Sequence, residues 1–221
     1  MCDKVNIDYL ANHFSKIQNV SRVLEVGSYN ANGNFKDFCV SKGIYYLGID
    51  IANGPDVDLV CDITSEFSEI TKVIGGGCFD AIICANVLEH LYEPVKALNN
   101  MRELLREDGY LIIITPLLWD LHGWPKDYFR LNPDFYRRYA MENGLHILED
   151  TFNLSIRNTR KIFSSCNSIP MIIPDLYPRG IINLMLKVIS YFIVPELKQC
   201  WPHVYVNLIC QKNAACLSNK S

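Results

Sequence analysis

From residue 22 to residue 116, short apolar runs alternate with longer stretches of helical spacing. Val23, Leu24 and Val26 form a nearly continuous apolar run, the pattern of a parallel strand buried on both faces. Residues 45–50, 58–62, 79–84 and 111–115 repeat that pattern. Between the strands, residues 35–42 and 93–107 carry helical spacing. In the second of these, Val95, Leu98, Met101, Leu104 and Leu105 share one face, and Gly109 is the expected stop. A lead helix over 3–20 places Val5, Tyr9, Leu10, Phe14 and Ile17 together. Strands that alternate with helices predict an α/β, doubly wound, mostly parallel sheet.

Beyond Pro116 the pattern loosens. Residues 133–143 read as a helix ended by Gly144, residues 145–152 as a sixth strand and residues 204–212 as a last one. About 50 residues, 153–202, separate these two strands, far more than a hairpin needs. Prolines 170, 174, 178, 195 and 202 punctuate this insert. Inside it, the apolar run 181–194 falls short of the roughly 20 residues that span a bilayer. The expectation is one domain over 1–221, with 153–202 as a helical insert serving as a lid or a homodimer contact. Residues 213–221 read as a frayed tail.

Composition narrows the function classes. The 221 residues are 49% hydrophobic and 20% charged, as in an ordinary globular protein. A formal net charge of −3 argues against a nucleic-acid-binding face. Nine cysteines is an odd count, and none falls in a Cys-x-x-Cys or Cys/His ligand spacing. Cys39, Cys61, Cys78, Cys84 and Cys210 lie in or beside the predicted buried elements, as small hydrophobes. Free thiols in a cytoplasmic protein are therefore expected, with no metal site. The start of the chain shows no secretory pattern.

Candidate chemistry begins where the first strand ends. Residues 27–33 turn on glycine into a helix, which places backbone N–H groups where a ligand's carboxylate or phosphate can meet them. Asp50 ends the next strand roughly 20 residues past that turn, the spacing of a ribose-binding acid. Asp62 ends the third. In a parallel sheet Gly27, Asp50 and Asp62 reach one rim, and one nucleoside could touch all three. The turn 75–77 lacks the ending of a triphosphate-binding loop.

Five segments now resemble the class I S-adenosylmethionine-dependent methyltransferases. They are Val23-Leu-Glu-Val-Gly27, Leu47-Gly-Ile-Asp50, Val60-Cys-Asp62, Phe79-Asp-Ala-Ile-Ile-Cys-Ala-Asn-Val-Leu-Glu-His90, and the stretch from Leu104 to Pro116. They keep the family's order and spacing. The resemblance implies a Rossmann-like seven-stranded sheet whose last strand is antiparallel, and S-adenosyl-L-methionine as cofactor. It implies Glu25, Gly27, Ser28, Asp50, Ile51, Asp62, Ile63 and Asn86 as cofactor-binding residues. Asp50 would take the ribose hydroxyls, and Asp62 the adenine amino group with Ile63 beside the ring. Glu25 would hold either the loop or the cofactor's amino group. The turn departs from the family by placing Tyr29 and Ala31 at glycine positions. Asn30 and Asn32, which tolerate positive φ, keep such a turn feasible.

After the fifth strand, residues 119–133 concentrate His122, Trp124, Asp127, Tyr128 and Arg130. This spacing resembles a branch of these enzymes associated with sugar and surface-glycan biosynthesis. It implies a small-molecule acceptor, His122 as base, and Asp127, Tyr128 and Arg130 as substrate-binding residues. The other reading is a loop pinned by its own Asp127–Arg130 ion pair. His90 is a second candidate for proton transfer, or else part of the pocket wall. O-methylation of a sugar, nucleotide-sugar or phosphorylated metabolite is the expected function. A non-catalytic cofactor-binding or scaffold protein is the alternative, and a nicotinamide-dependent oxidoreductase a further one.

Overall fold

Each of the five apolar runs forms a parallel strand in the computed structural model, which describes residues 4–31, 33, 35–119, 121–123, 126–157 and 203–214. Helix α1 (Lys4–His13) leads into β1 (Arg22–Val26), α2 (Lys36–Ser41), β2 (Tyr45–Asp50) and β3 (Leu59–Val60). There follow α3 (Phe67–Ile74), β4 (Phe79–Ala85), α4 (Pro94–Leu104) and β5 (Leu105–Leu118). The last described elements are α5 (Pro133–Glu142), β6 (Leu145–Ile147), β7 (Asn153–Arg157) and β8 (His203–Lys212). The sheet order is β3-β2-β1-β4-β5-β8-β6, with β7 also paired to β8.

Among the described residues the sheet has eight strands rather than the expected seven. The sixth predicted strand breaks after Ile147 into a 3-10 turn, Glu149–Thr151, and resumes as β7. Residues 153–157, assigned from the sequence to the insert, are thus a strand. Strand β8 runs antiparallel to both β5 and β6, as the resemblance implied. The described residues up to Ile156 and from Val204 onward form one compact unit. The apolar run 181–194, the proposed lid or dimer contact and the end of the tail lie outside the described residues. Among the described residues, no helix is long and apolar enough to cross a membrane.

Alternation along each strand sends successive side chains to opposite faces. Leu24, Val26, Ile82, Cys84, Leu111 and Ile113 join Ile70 of α3, Leu98 and Met101 of α4 and Tyr136 of α5 in one core. Val23, Ala81, Ile83, Ile112 and Ile114 face the other way, against Tyr9 and Leu10 of α1 and Cys39 of α2. Both faces are covered, which explains why the strands read as continuous apolar runs. Val95 departs from its expected place on the core face of α4 and is exposed, and Cys78 is exposed as well.

The fifth strand begins earlier than expected. Leu105 already pairs with Phe79, and α4 stops at Leu104. The register shifts before Tyr110 meets Ala81, and Asp108 takes a φ of 60° in that bulge. Gly109 therefore sits inside an irregular strand start instead of ending the helix.

Candidate active site

Strand order reverses between β1 and β4, and their carboxyl ends open a crevice there. Val26 is in register with Ile49 on one side and with Cys84 on the other, so the three strand ends are level. A cavity of about 590 Å³ lies at this rim. Gly27, Tyr29, Asp50, Ile51, Asp62 and Ile63 line one part of it. Asn86, Val87, His90, Leu91, His122 and Gly123 line another.

The turn after β1 has its amides largely engaged, contrary to the expectation of a row of N–H groups turned to a ligand. The Gly27 and Ser28 amides both donate to the Ile49 carbonyl, at 2.8 and 3.1 Å. The Tyr29 amide donates to Oδ2 of Asp50 at 3.3 Å, and the Asn30 amide to the Pro55 carbonyl at 3.0 Å. Among the described turn residues positive φ falls on Gly27 and Gly33, not on Asn30. Gly27 has a φ of 80°, and a Cβ there would lie 2.1 Å from Cγ2 of Val87. The Val87 side chain therefore packs directly on the Gly27 backbone. Tyr29 is accommodated by a second glycine, because a Cβ on Gly54 would lie 2.2 Å from its ring.

Two expected cofactor residues face elsewhere. Ser28 is buried against Gly48, its side chain is absent from the cavity wall and its amide serves Ile49. Glu25 is buried on the α1–α2 face of the sheet, where Tyr46 donates its phenolic proton to Oε2 at 2.6 Å. Burial pushes the Glu25 carboxyl up to about 7, against hydrogen bonds from Tyr46 and the Phe35 backbone. Glu25 thus bonds to the neighbouring strand and to the Phe35 backbone after the turn, and it does not line the cavity.

Asp50 and Asp62 do line the cavity, and each also organises its own backbone. Oδ1 of Asp50 accepts from the Ala52 amide at 2.9 Å. Oδ1 of Asp62 accepts from the Thr64 amide and hydroxyl, at 2.8 and 2.6 Å. A carboxylate has about four acceptor sites, so both retain capacity for ligand hydroxyl or amino groups. The side chain of Asn100, from α4, donates to the Ile63 and Ser65 carbonyls at 2.8 and 3.0 Å. It thereby fixes the turn that carries Asp62 and Ile63. A polar residue on the apolar face of α4 was the signal for this role.

Asn86 adopts a φ of 55° at the end of β4 and donates through Nδ2 to Oδ1 of Asn6, at 3.1 Å. Asn6 is fully buried and ties α1 to the cavity wall. Beyond it, residues Leu88–His90 form a 3-10 turn. Nδ1 of His90 lies 2.5 Å from the Lys126 carbonyl, which can only accept, so that nitrogen carries the proton. Burial lowers the His90 pKa and keeps the ring neutral. Glu89 is 2% exposed, and neither of its carboxylate oxygens has a hydrogen-bond partner in another of the described residues. Burial raises its carboxyl to about 7.

The loop after β5 divides the expected acceptor residues. His122 lines the cavity, whereas Asp127, Tyr128 and Arg130 do not. Arg130 forms a two-pronged ion pair with Asp127 and also donates to the Phe129 and Trp119 carbonyls. This pairing, with the His122 amide as a further donor, holds the Asp127 carboxyl down to about 2. Oδ2 of Asp127 also lies 3.3 Å from Nδ1 of His122. The pinned-loop reading fits these contacts. Tyr128 is half-exposed and packs edge-on against Tyr92. Trp124 lies outside the described residues.

These features suit a nucleoside at the Asp50–Asp62 end. Acceptor oxygens stand beside the apolar Ile51 and Ile63, which can flank a flat ring. A family model described as a methyltransferase domain matches residues 3–152. Among curated proteins, none matches the chain. Among solved structures, the chain is similar to a SAM-dependent methyltransferase from Archaeoglobus fulgidus, with a TM-score of 0.55 and 16% identity over 95% of this chain and 94% of that one. It is similar also to a Bacillus halodurans protein described as a putative methyltransferase, with a TM-score of 0.56 and 10% identity over 93% and 99% of the two chains. A third is the Burkholderia thailandensis 1,6-didemethyltoxoflavin-N1-methyltransferase, with a TM-score of 0.56, 12% identity and coverage of 94% and 77%. At these identities the likeness is one of fold.

Proposed function

Because the chain belongs to the methyltransferase-domain family, we propose that it transfers the methyl group of S-adenosyl-L-methionine to a hydroxyl oxygen of a small polar acceptor. Sugars, nucleotide-sugars and phosphorylated metabolites are the acceptor class, as the sugar and surface-glycan resemblance implies. The observation that carries this reading is one cavity lined both by carboxylates, Asp50 and Asp62, and by imidazoles, His90 and His122.

Asp50 would accept the ribose hydroxyls, and Asp62 the adenine amino group with Ile63 against the ring. When bound, the cofactor supplies an electrophilic methyl group on a sulfonium, so the chain's task is orientation and exclusion of water. Asn86 and Val87, held by Asn6 and Gly27, line the same cavity at the end of β4. The acceptor hydroxyl's proton leaves at the end lined by His90 and His122.

The test is calorimetric titration with S-adenosylhomocysteine and, in parallel, NAD. Binding of the former alone, weakened in Asp50→Ala, supports the reading, and radiolabelled methyl transfer then identifies the acceptor. NAD binding alone makes the protein an oxidoreductase. Cofactor binding with no transfer to any acceptor supports the non-catalytic alternative.

A further inference from the structure

Nothing in the sequence spacing marks a metal site, because its members lie at the end of β4 and in the loop after β5. The fold brings Glu89, His90 and His122 together, with one ligand atom from each within 4.8 Å of the others. The His90 and His122 rings meet edge-on with centroids 5.1 Å apart.

The local charge arrangement is incomplete as it stands. The Lys126 carbonyl fixes the proton of His90 on Nδ1, so Nε2 presents a lone pair. That nitrogen lies 3.7 Å from Oε1 of Glu89. Two acceptors therefore face one another, and the carboxylate of the pair is buried with no hydrogen-bond partner in another of the described residues. Something positive between them would remove the repulsion and offset the desolvation of the carboxylate.

The geometry points to a divalent first-row cation held by the Glu89 carboxylate, Nε2 of His90 and a ring nitrogen of His122. Two imidazoles and one carboxylate suit Zn²⁺, Co²⁺ or Mn²⁺ with open positions for other ligands. Metal–ligand bonds of about 2.1 Å put tetrahedral ligands roughly 3.4 Å apart, so side-chain rotations that bring these atoms about 1 Å closer close the site. The surrounding groups already orient the ligands as metal-bound histidines require. The Lys126 carbonyl holds Nδ1 of His90, and the Asp127 carboxylate lies 3.3 Å from Nδ1 of His122, which makes Nε2 of His122 the nitrogen we assign. Asp127 and its partner Arg130, which the sequence placed against the substrate, thus become positioning residues for a ligand.

His90 and His122 line the cavity, so the open positions face the space left to the acceptor. Resting on the methyl-transfer reading, the cation defines the acceptor as an oxygen ligand, a hydroxyl or one of two neighbouring hydroxyls. Coordination weakens the O–H bond. The proton passes to solvent water as the oxygen forms its bond to the methyl carbon, and the sulfur–methyl bond breaks to leave the neutral thioether. The imidazoles then serve as ligands, and no side-chain base is needed.

The test is titration of chelator-treated protein with Co²⁺, followed by calorimetry and by visible absorption. The expected result is one equivalent bound, with visible bands and without the intense near-ultraviolet absorption of cobalt–thiolate sites. Glu89→Gln and His122→Gln should weaken binding about a hundredfold, and Asp127→Asn about tenfold. S-adenosylhomocysteine titration of the same samples shows which variants keep their fold. No binding by the wild type, a thiolate spectrum, or unchanged affinity in folded variants would overturn the site. Co²⁺ binding in a wild type that ignores S-adenosylhomocysteine would retain the cation and sink the methyl-transfer reading instead.

Discussion

Tyr46 donates its hydroxyl proton to Oε2 of Glu25 at 2.6 Å, across neighbouring strands of a face sealed by α1 and α2. The partner is needed because a carboxylate there is removed from water. Glu25 titrates near 7 in the folded chain, above the ordinary glutamate value of 4.5. The folded state thus holds a proton that the unfolded chain releases between these limits. Its contribution to stability is fully present below about pH 4.5 and is lost as pH rises through about 7. Asp127 acts with the opposite sign, but its window lies far lower, near 2. Between pH 5 and 8, urea unfolding of Glu25→Gln should fall less steeply with pH than the wild type, by on the order of 1–3 kcal/mol. Parallel curves would show that Glu25 is ionised throughout. Tyr46→Phe should cost about 1–3 kcal/mol at pH 8, since it removes a donor from a buried charge.

Asp50→Ala should weaken S-adenosylhomocysteine binding about tenfold to a hundredfold, the worth of charge-assisted hydrogen bonds to two ribose hydroxyls. Because Asp50 also accepts from the Tyr29 and Ala52 amides, a melting temperature must accompany the titration. Equal affinity in a folded variant would remove Asp50 from the cofactor site.

Gly54→Ala should destabilise the protein by about 1–3 kcal/mol through overpacking against the Tyr29 ring. Tyr29→Ala should suppress most of that loss, so a double-mutant cycle in urea would show strong coupling. Additive effects would mean that the ring and Gly54 do not depend on each other.

Asn100→Ala should cost about 1–3 kcal/mol, leaving the buried Ile63 carbonyl without its side-chain donor. The turn that carries Asp62 would loosen with it. Cofactor affinity should then fall in Asn100→Ala, although Asn100 does not line the cavity. Unchanged affinity in a less stable variant would confine Asn100 to the fold.

The parallel strands were legible because each is buried on both faces and reads as an unbroken apolar run. Asp50 and Asp62 were legible because a parallel sheet brings strand ends to one rim whatever the details. Boundaries were less so: Leu105 reads as the last turn of a helix until Phe79 is found beside it in the sheet. The split of β6 from β7 likewise depends on pairing with β8, which lies more than forty residues further on.

Sequence alone determined the strand–helix alternation and which strand-end acids reach one rim of the sheet. Those follow from local periodicity and from the handedness of parallel crossovers. Only tertiary structure decided where side chains at equal spacing point. Glu25 and Ser28 turn away from the cavity, Arg130 closes on Asp127, and Glu89 meets His122 from another loop. These are long-range contacts set by packing, and no local pattern encodes which of two faces a strand-end residue will present to a ligand.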